Sequence, residues 1–276
     1  MVTRARGLSG ACVAVCLVLS STRTPGQSGP PNTIRGASGV VTITPLVHSS
    51  VQLESGGTVV QIDPWSAIDL APLKPADLIL ITDGTIVHHF DLKAIERVRQ
   101  PGAPVVIPAS AKEKLPDGIV LNNGESRTVA GIRVEAIGAY DITQLDKPGE
   151  PSHPKGAANG YLFTLGGARI YLAGVTECVP EMRAIKNIDL MFAPLNLPLG
   201  RMNPQAAADC VKSLKPKVVY PIHYDNATAN RLQNPKSTAT LAEMTANRET
   251  AAVFKQRLAG EPIDVRIRFY PALPAK

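Results

Sequence analysis

The sequence predicts an α/β protein in which two similar sheets pack face to face with helices outside. Three observations carry that expectation. Short runs of branched apolar residues, separated by Gly-Gly and Asn-Gly turns, recur along the 276 residues and open each half as a strand meander. Each half then passes to apolar strands alternating with helical spacing. All five histidines fall close to the ends of strand-like segments rather than inside helices.

The first 30 residues stand apart. Met1 to Gly7 carries two arginines, and the apolar run Ala11 to Leu19 follows. That run is about half of the roughly 20 residues a spanning helix needs, so it fits an export signal followed by a Pro/Gly/Ser-rich linker. Cleaved export to the periplasm or medium is expected, with a retained lipid anchor as the alternative. Residues 31–276 read as one domain. Within it, Gly39 to Pro45, Ser50 to Glu54 and Thr58 to Ile62 form the first meander around Gly56-Gly57. Leu78 to Thr82 is a buried strand, and Leu92 to Arg99 a helix with Asp91 as N-cap.

Val105 to Pro108 is a short strand, with a helix starting at Ala109. Ile119 to Leu121, Ser126 to Val129 and Ile132 to Ile137 form a second meander. Asn159 to Leu165 and Arg169 to Ala173 make a hairpin over Gly166-Gly167. Ile188 to Ala193 and Val218 to Ile222 are buried strands flanking a helix from Asn203, the N-cap, to Leu214, with Pro204 at N1. The polar stretch Thr228 to Ala252 reads as an insertion on one edge of the domain. After signal removal Cys178 and Cys210 remain, and because they lie in different motifs unpaired burial is expected.

Composition excludes some functions. Aromatics are 4% and the basic residues of the +6 chain are scattered, which argues against nucleic-acid binding. No other apolar stretch is long enough to cross a membrane, so no stable insertion is expected. A small-molecule substrate is the expected partner, and nothing in the sequence sets the oligomeric state.

The chemistry concentrates in Leu78 to Asp91, where an apolar strand ends in Asp83-Gly84 and, five residues on, His88-His89. Apolar strand, polar loop, helix is how α/β proteins bring ligands to the carboxyl edge of a sheet. Asp63-Pro64 at a strand end, His48-Ser49-Ser50, His153-Pro154-Lys155-Gly156, Asn159-Gly160-Tyr161, Thr176-Glu177-x-Val179-Pro180-Glu181-Met182, Leu195-Asn196-Leu197-Pro198 and Tyr220-Pro221-Ile222-His223-Tyr224 extend the pattern. Taken in order from Val41 to Asp225, these resemble the metallo-β-lactamase-fold hydrolases. The ascorbate-6-phosphate lactonase-like branch is the most similar.

The resemblance implies a four-layer αββα metallo-β-lactamase-like sandwich and a metal ion that lowers the pKa of water for attack on an ester, lactone or phosphoester. By resemblance Asp83, His89, His153 and His223 are the metal ligands, His48 lines the pocket in a catalytic role and Asp63 supports the loop; His88 is expected to line the pocket in a catalytic role, with metal ligation as the alternative. Tyr224 and Asp225 follow the last ligand and are placed to touch substrate. The chain departs from the family pattern at three points. The middle histidine of the D-x-H-x-D-H loop is absent, His88 replaces the aspartate before the last loop histidine, and Val175 stands where an aspartate would bridge two metals. The implied cofactor is therefore one divalent ion, zinc first, with manganese or iron as alternatives. The same departures support the other reading, a catalytically degenerate binding or scaffold protein.

Overall fold

The computed structural model describes residues 32–195, 201–234 and 236–268. The leader and the Asn196–Pro198 part of the family pattern lie outside the described residues. The first sheet comprises β1 (Thr33–Arg35), β2 (Val40–Pro45), β3 (Val51–Ser55), β4 (Thr58–Ile62), β5 (Leu78–Leu80), β6 (Val105–Ile107) and β7 (Ile119–Val120), in that spatial order. Helix α1 (Leu92–Val98) connects β5 to β6. β1 to β4 pair antiparallel and β4 to β7 parallel.

The second sheet repeats the plan. β8 (Ser126–Val129) and β9 (Ile132–Ala139) are followed by a small hairpin, β10 (Leu145–Lys147) and β11 (Glu150–Pro151). Then come β12 (Ala158–Leu165), β13 (Ala168–Leu172), helix α2 (Pro180–Arg183), β14 (Leu190–Pro194), α3 (Pro204–Leu214), β15 (Val218–Ile222), α4 (Asn226–Gln233), α5 (Leu241–Arg257) and β16 (Asp264–Val265). The order is β16-β15-β14-β13-β12-β9-β8, with its parallel half from β13 to β16.

Strand alternation builds the layers. Leu78 and Leu80 of β5 point into the space between the sheets, where they join Tyr161, Phe163, Phe192 and Tyr220. Ile79 and Ile81 point outward to Ala94, Ile95 and Val98 of α1. On the other sheet Leu190 and Phe192 face inward, while Met191 and Ala193 face Ala207, Val211 and Leu214 of α3. Strands covered on both faces read as continuous apolar runs for this reason. Truncating Leu80, which is fully buried, removes about 2–5 kcal/mol of packing. The result is the expected four-layer sandwich.

Local signals act as anticipated at several ends. Asp91 caps α1 by accepting from Lys93 N and Ala94 N, and Asn203 caps α3 by accepting from Gln205 N and Ala206 N.

The structure corrects three expectations. Ile119 and Val120 pair in parallel with Val106 and Ile107, so this segment closes the first sheet instead of opening the second meander; hydrophobic alternation carries no information about which sheet a strand joins. The helix expected at Ala109 is one 3-10 turn, Ala109–Ala111. Cys178 and Cys210 form a disulfide with Cα atoms 5.8 Å apart, because α2 packs on α3 and brings the two motifs together. The stretch Thr228 to Ala252 forms most of α4 and α5, and Ala251 and Phe254 of α5 enter the apolar layer beneath α3.

Candidate metal centre

Both parallel half-sheets deliver polar loops to the same edge. Asp63 follows β4, Asp83 to His89 follow β5, and His223 to Asp225 follow β15, while His48 sits in the β2–β3 corner. Asp63 is fully buried and organises the β5 loop. Its carboxylate accepts from Thr82 N at 2.8 Å, Thr82 Oγ1 at 2.6 Å and His89 Nδ1 at 2.7 Å. The structural-support role expected of Asp63 has this geometry behind it. Asp225 does the same for His48, with Oδ2 accepting from His48 N at 3.0 Å and Oδ1 lying 2.8 Å from Nδ1. His223 N donates to His48 O at 3.2 Å, tying the two sheets' loops together. Asp225 thus orients an imidazole, a role the sequence reading did not give it.

Four imidazoles meet at this edge. Ring centroids are 3.8 Å apart for His48 and His223, 4.5 Å for His48 and His88, 4.7 Å for His88 and His89, and 5.3 Å for His89 and His223. One nitrogen from each ring falls within 4.8 Å of the others. Nε2 of His48 and His89, and both ring nitrogens of His88 and His223, are buried without a hydrogen-bond partner. A buried polar atom left unpaired costs about 1–3 kcal/mol, so a cluster of them calls for an explanation.

Two of the rings, His88 and His223, are held neutral. Burial first, then the neighbouring histidines, push His88 down to about 2 and His223 well below the usual imidazole range. Neutral imidazoles with free lone pairs are ligand atoms for a divalent metal, and the donor set fits one. Backbone strain gathers at the same place. His48, Asp63 and His223 have φ of 61°, 40° and 62°, left-handed values that non-glycine residues avoid.

Asp83 and His153 form a second cluster beside the first. Asp83 Oδ1 accepts from Thr85 N and Oγ1, both at 2.6 Å, and Oδ2 lies 3.5 Å from His153 Nε2. His153 Nδ1 is 3.4 Å from Asp141 Oδ2 and 3.0 Å from Arg201 Nη2. Arg201 grips Asp141 with two nitrogens, Nη2 at 2.7 Å and Nε. Hydrogen bonds to Asp141 and then Asp83 push His153 up to about 9, against burial and the Arg201 charge. Burial works to raise Asp83, but His153, the charge on His89 and the Thr85 bonds outweigh it and bring the carboxyl down to about 2.

The structure therefore brings His89 and His223 of the expected ligand set together with His48 and His88, and pairs Asp83 with His153 alongside. Val175 is buried and contributes no donor. Sequence reasoning missed Asp141 and Arg201. Both are single polar residues outside any recognisable motif, and only the fold brings them within reach of His153. Trp65 lies 6.0 Å from His88 between ring centroids and packs with Val47 against Ala229 of α4; His88 is the one ring of the four that is only partly buried.

Comparison with known proteins agrees with this architecture. A β-lactamase superfamily domain matches residues 42–223. A UPF0173 metal-dependent hydrolase of Aeropyrum pernix is 30% identical over 199 residues, covering 66% of this chain and 81% of the relative. Another, of Polynucleobacter asymbioticus, is 29% identical over 273 residues, covering 89% and 92%. The crystal structure of a candidate metal-dependent hydrolase from Parabacteroides distasonis superposes with a TM-score of 0.70 at 32% identity, covering 87% of this chain and 98% of that one. At 23% identity, the metallo hydrolase Igni18 of Ignicoccus hospitalis, with a TM-score of 0.56, shows the fold alone. With its two sheets, the loops they carry and a matching domain over most of its length, this chain belongs to the β-lactamase superfamily, among the UPF0173 metal-dependent hydrolases.

Proposed function

We propose that this protein is an exported hydrolase that works with one divalent metal ion on an ester, lactone or phosphoester. The observation that carries the reading is the convergence of buried, partnerless imidazole nitrogens where the carboxyl ends of both parallel half-sheets meet. His89 and His223 would hold the metal, each presenting a free ring nitrogen. A metal there would supply Lewis acidity to a carbonyl or phosphoryl oxygen and acidify a water molecule.

The chain's own residues do the rest. Asp63 fixes the proton of His89 on Nδ1, and Asp225 does so for His48, so the Nε2 lone pairs remain available. Asp83 stays ionised, and its negative charge bears on His88 and His89. His153, held protonated beside it, steadies the carboxylate through Nε2. The Cys178–Cys210 disulfide supports export, since such bonds persist in oxidising compartments.

Val175, where the family pattern has a bridging aspartate, supports the competing reading of a binding protein. Turnover of aryl ester, lactone and phosphoester substrates, measured with zinc, manganese or iron and again after chelation, separates the two. Metal-dependent hydrolysis abolished by His223→Ala is expected. Bound metal without turnover of any of these substrates would leave the binding reading.

A further inference from the structure

We infer that the metal is held by four imidazoles, His48, His88, His89 and His223, and that Asp83 and His153 stand outside its coordination. The inference rests on the metal-dependent reading above and deepens it. It gives the role of ligand to His48, expected as a pocket residue, and to His88, expected there with ligation as the alternative.

Geometry supports each part. The four nitrogens lie within 4.8 Å of one another. Tetrahedral bonds of about 2.0–2.1 Å place ligand nitrogens about 3.3 Å apart, so the rings need only swing inward by a fraction of their size. Two of the four, His48 and His89, have Nδ1 committed to a carboxylate, the arrangement that fixes tautomer and ring direction in metal-binding histidines. The left-handed backbone at His48 and His223 fixes the direction from which two of the rings enter the cluster.

Asp83 and His153 are engaged elsewhere. Thr85 occupies one Asp83 oxygen, and the other lies 3.5 Å from His153 Nε2, so that nitrogen, unlike Nε2 of His48 and His89, already faces a carboxylate; the buried Arg201 guanidinium lies 3.0 Å from His153 Nδ1. A second cation would have to displace or repel that guanidinium. The fixed Arg201 charge lies on the Nδ1 side of His153 and works against a second cation beside that ring. Four imidazole nitrogens without carboxylate or thiolate suit zinc, iron(II), nickel or copper, and disfavour magnesium and calcium.

The test uses the full chain, purified metal-free and titrated with Zn²⁺ and Co²⁺, read by elemental stoichiometry and by the visible absorption of bound Co²⁺. One metal per chain is expected. His48→Ala and His88→Ala should each weaken binding about 10-fold or more and change the Co²⁺ spectrum. His153→Ala and Asp83→Ala should leave stoichiometry and spectrum in place. Circular dichroism, and His48→Gln and His88→Gln of similar size, establish that lost binding is not lost folding. Two metals per chain, or loss of metal in His153→Ala or Asp83→Ala with retention in both His48→Ala and His88→Ala, overturns the four-imidazole centre while leaving a metal-dependent hydrolase. Wild-type protein that binds no metal overturns both readings.

Discussion

The two buried clusters at the site edge settle their charges in opposite ways. In the Asp83–His153–Asp141–Arg201 group each ionisable side chain meets one of opposite charge, and Asp141 and Arg201 do so with no side-chain exposure. In the histidine group the rings meet one another, and the carboxylates Asp63 and Asp225 lie behind His89 and His48. One cluster leaves a single nitrogen, Arg201 Nη1, without a partner; the other leaves six ring nitrogens. Loss of the family's bridging aspartate at Val175 fits the same division, since nothing then links a second cation to the first.

The largest effect that tests this comparison is at Arg201. Removing the guanidinium with Arg201→Met strands Asp141 in a buried place, and urea unfolding should show a loss of about 3–5 kcal/mol. The double variant Arg201→Met with Asp141→Leu should recover much of that loss. If the single variant unfolds at the wild-type urea midpoint, the ion-pair cluster is not the self-sufficient unit described.

Next comes the histidine cluster, whose stability should depend on what binds it. Metal at 100 times its dissociation constant adds about 2.7 kcal/mol, visible as a raised melting temperature that chelation reverses. His153→Ala should retain that metal-dependent rise, whereas His223→Ala should lose it. Asp63→Asn should then weaken metal binding about 10- to 100-fold, about 1.4–2.7 kcal/mol, because His89 loses the group that fixes its proton. An unchanged affinity in a folded Asp63→Asn variant would remove the case for an oriented His89.

Much of the fold could be read from the chain because each signal is local. The runs at Leu78 and Leu190 are apolar on both faces since helices cover them outside, and Asp91 and Asn203 mark helix starts by capping. What could not be read depended on meetings between distant segments. Ile119 carries the same pattern whichever sheet it joins. Cys178 and Cys210 pair only because α2 lies on α3. At the site, the histidines at strand ends could be read as parts of one site, but not which of them meet: His153 pairs with Asp83, and His48 reaches the cluster through Asp225, 177 positions away in sequence. Arg201 meets Asp141 across 60 residues, and no motif announces either.

The smallest expected effect provides the control. Asp189 and Lys217 form the same kind of ion pair at the opposite end of the second sheet, with Nζ to Oδ1 at 2.8 Å, but 78% of the lysine side chain is exposed. Asp189 also accepts from Arg169 N at 2.8 Å. Partial burial works to raise its pKa, and Lys217 with the Arg169 bond outweighs it, so the folded value is lowered. A lowered carboxyl contributes stability above its unfolded pKa, near 3.8, and loses it as pH falls through the folded value. Asp189→Asn should therefore flatten the acid side of the stability profile and cost only about 0.2–1 kcal/mol at neutral pH, less in high salt. Equal losses from Asp189→Asn and Arg201→Met would mean that burial does not distinguish the two pairs, and the contrast between the clusters would then have to rest on the histidines alone.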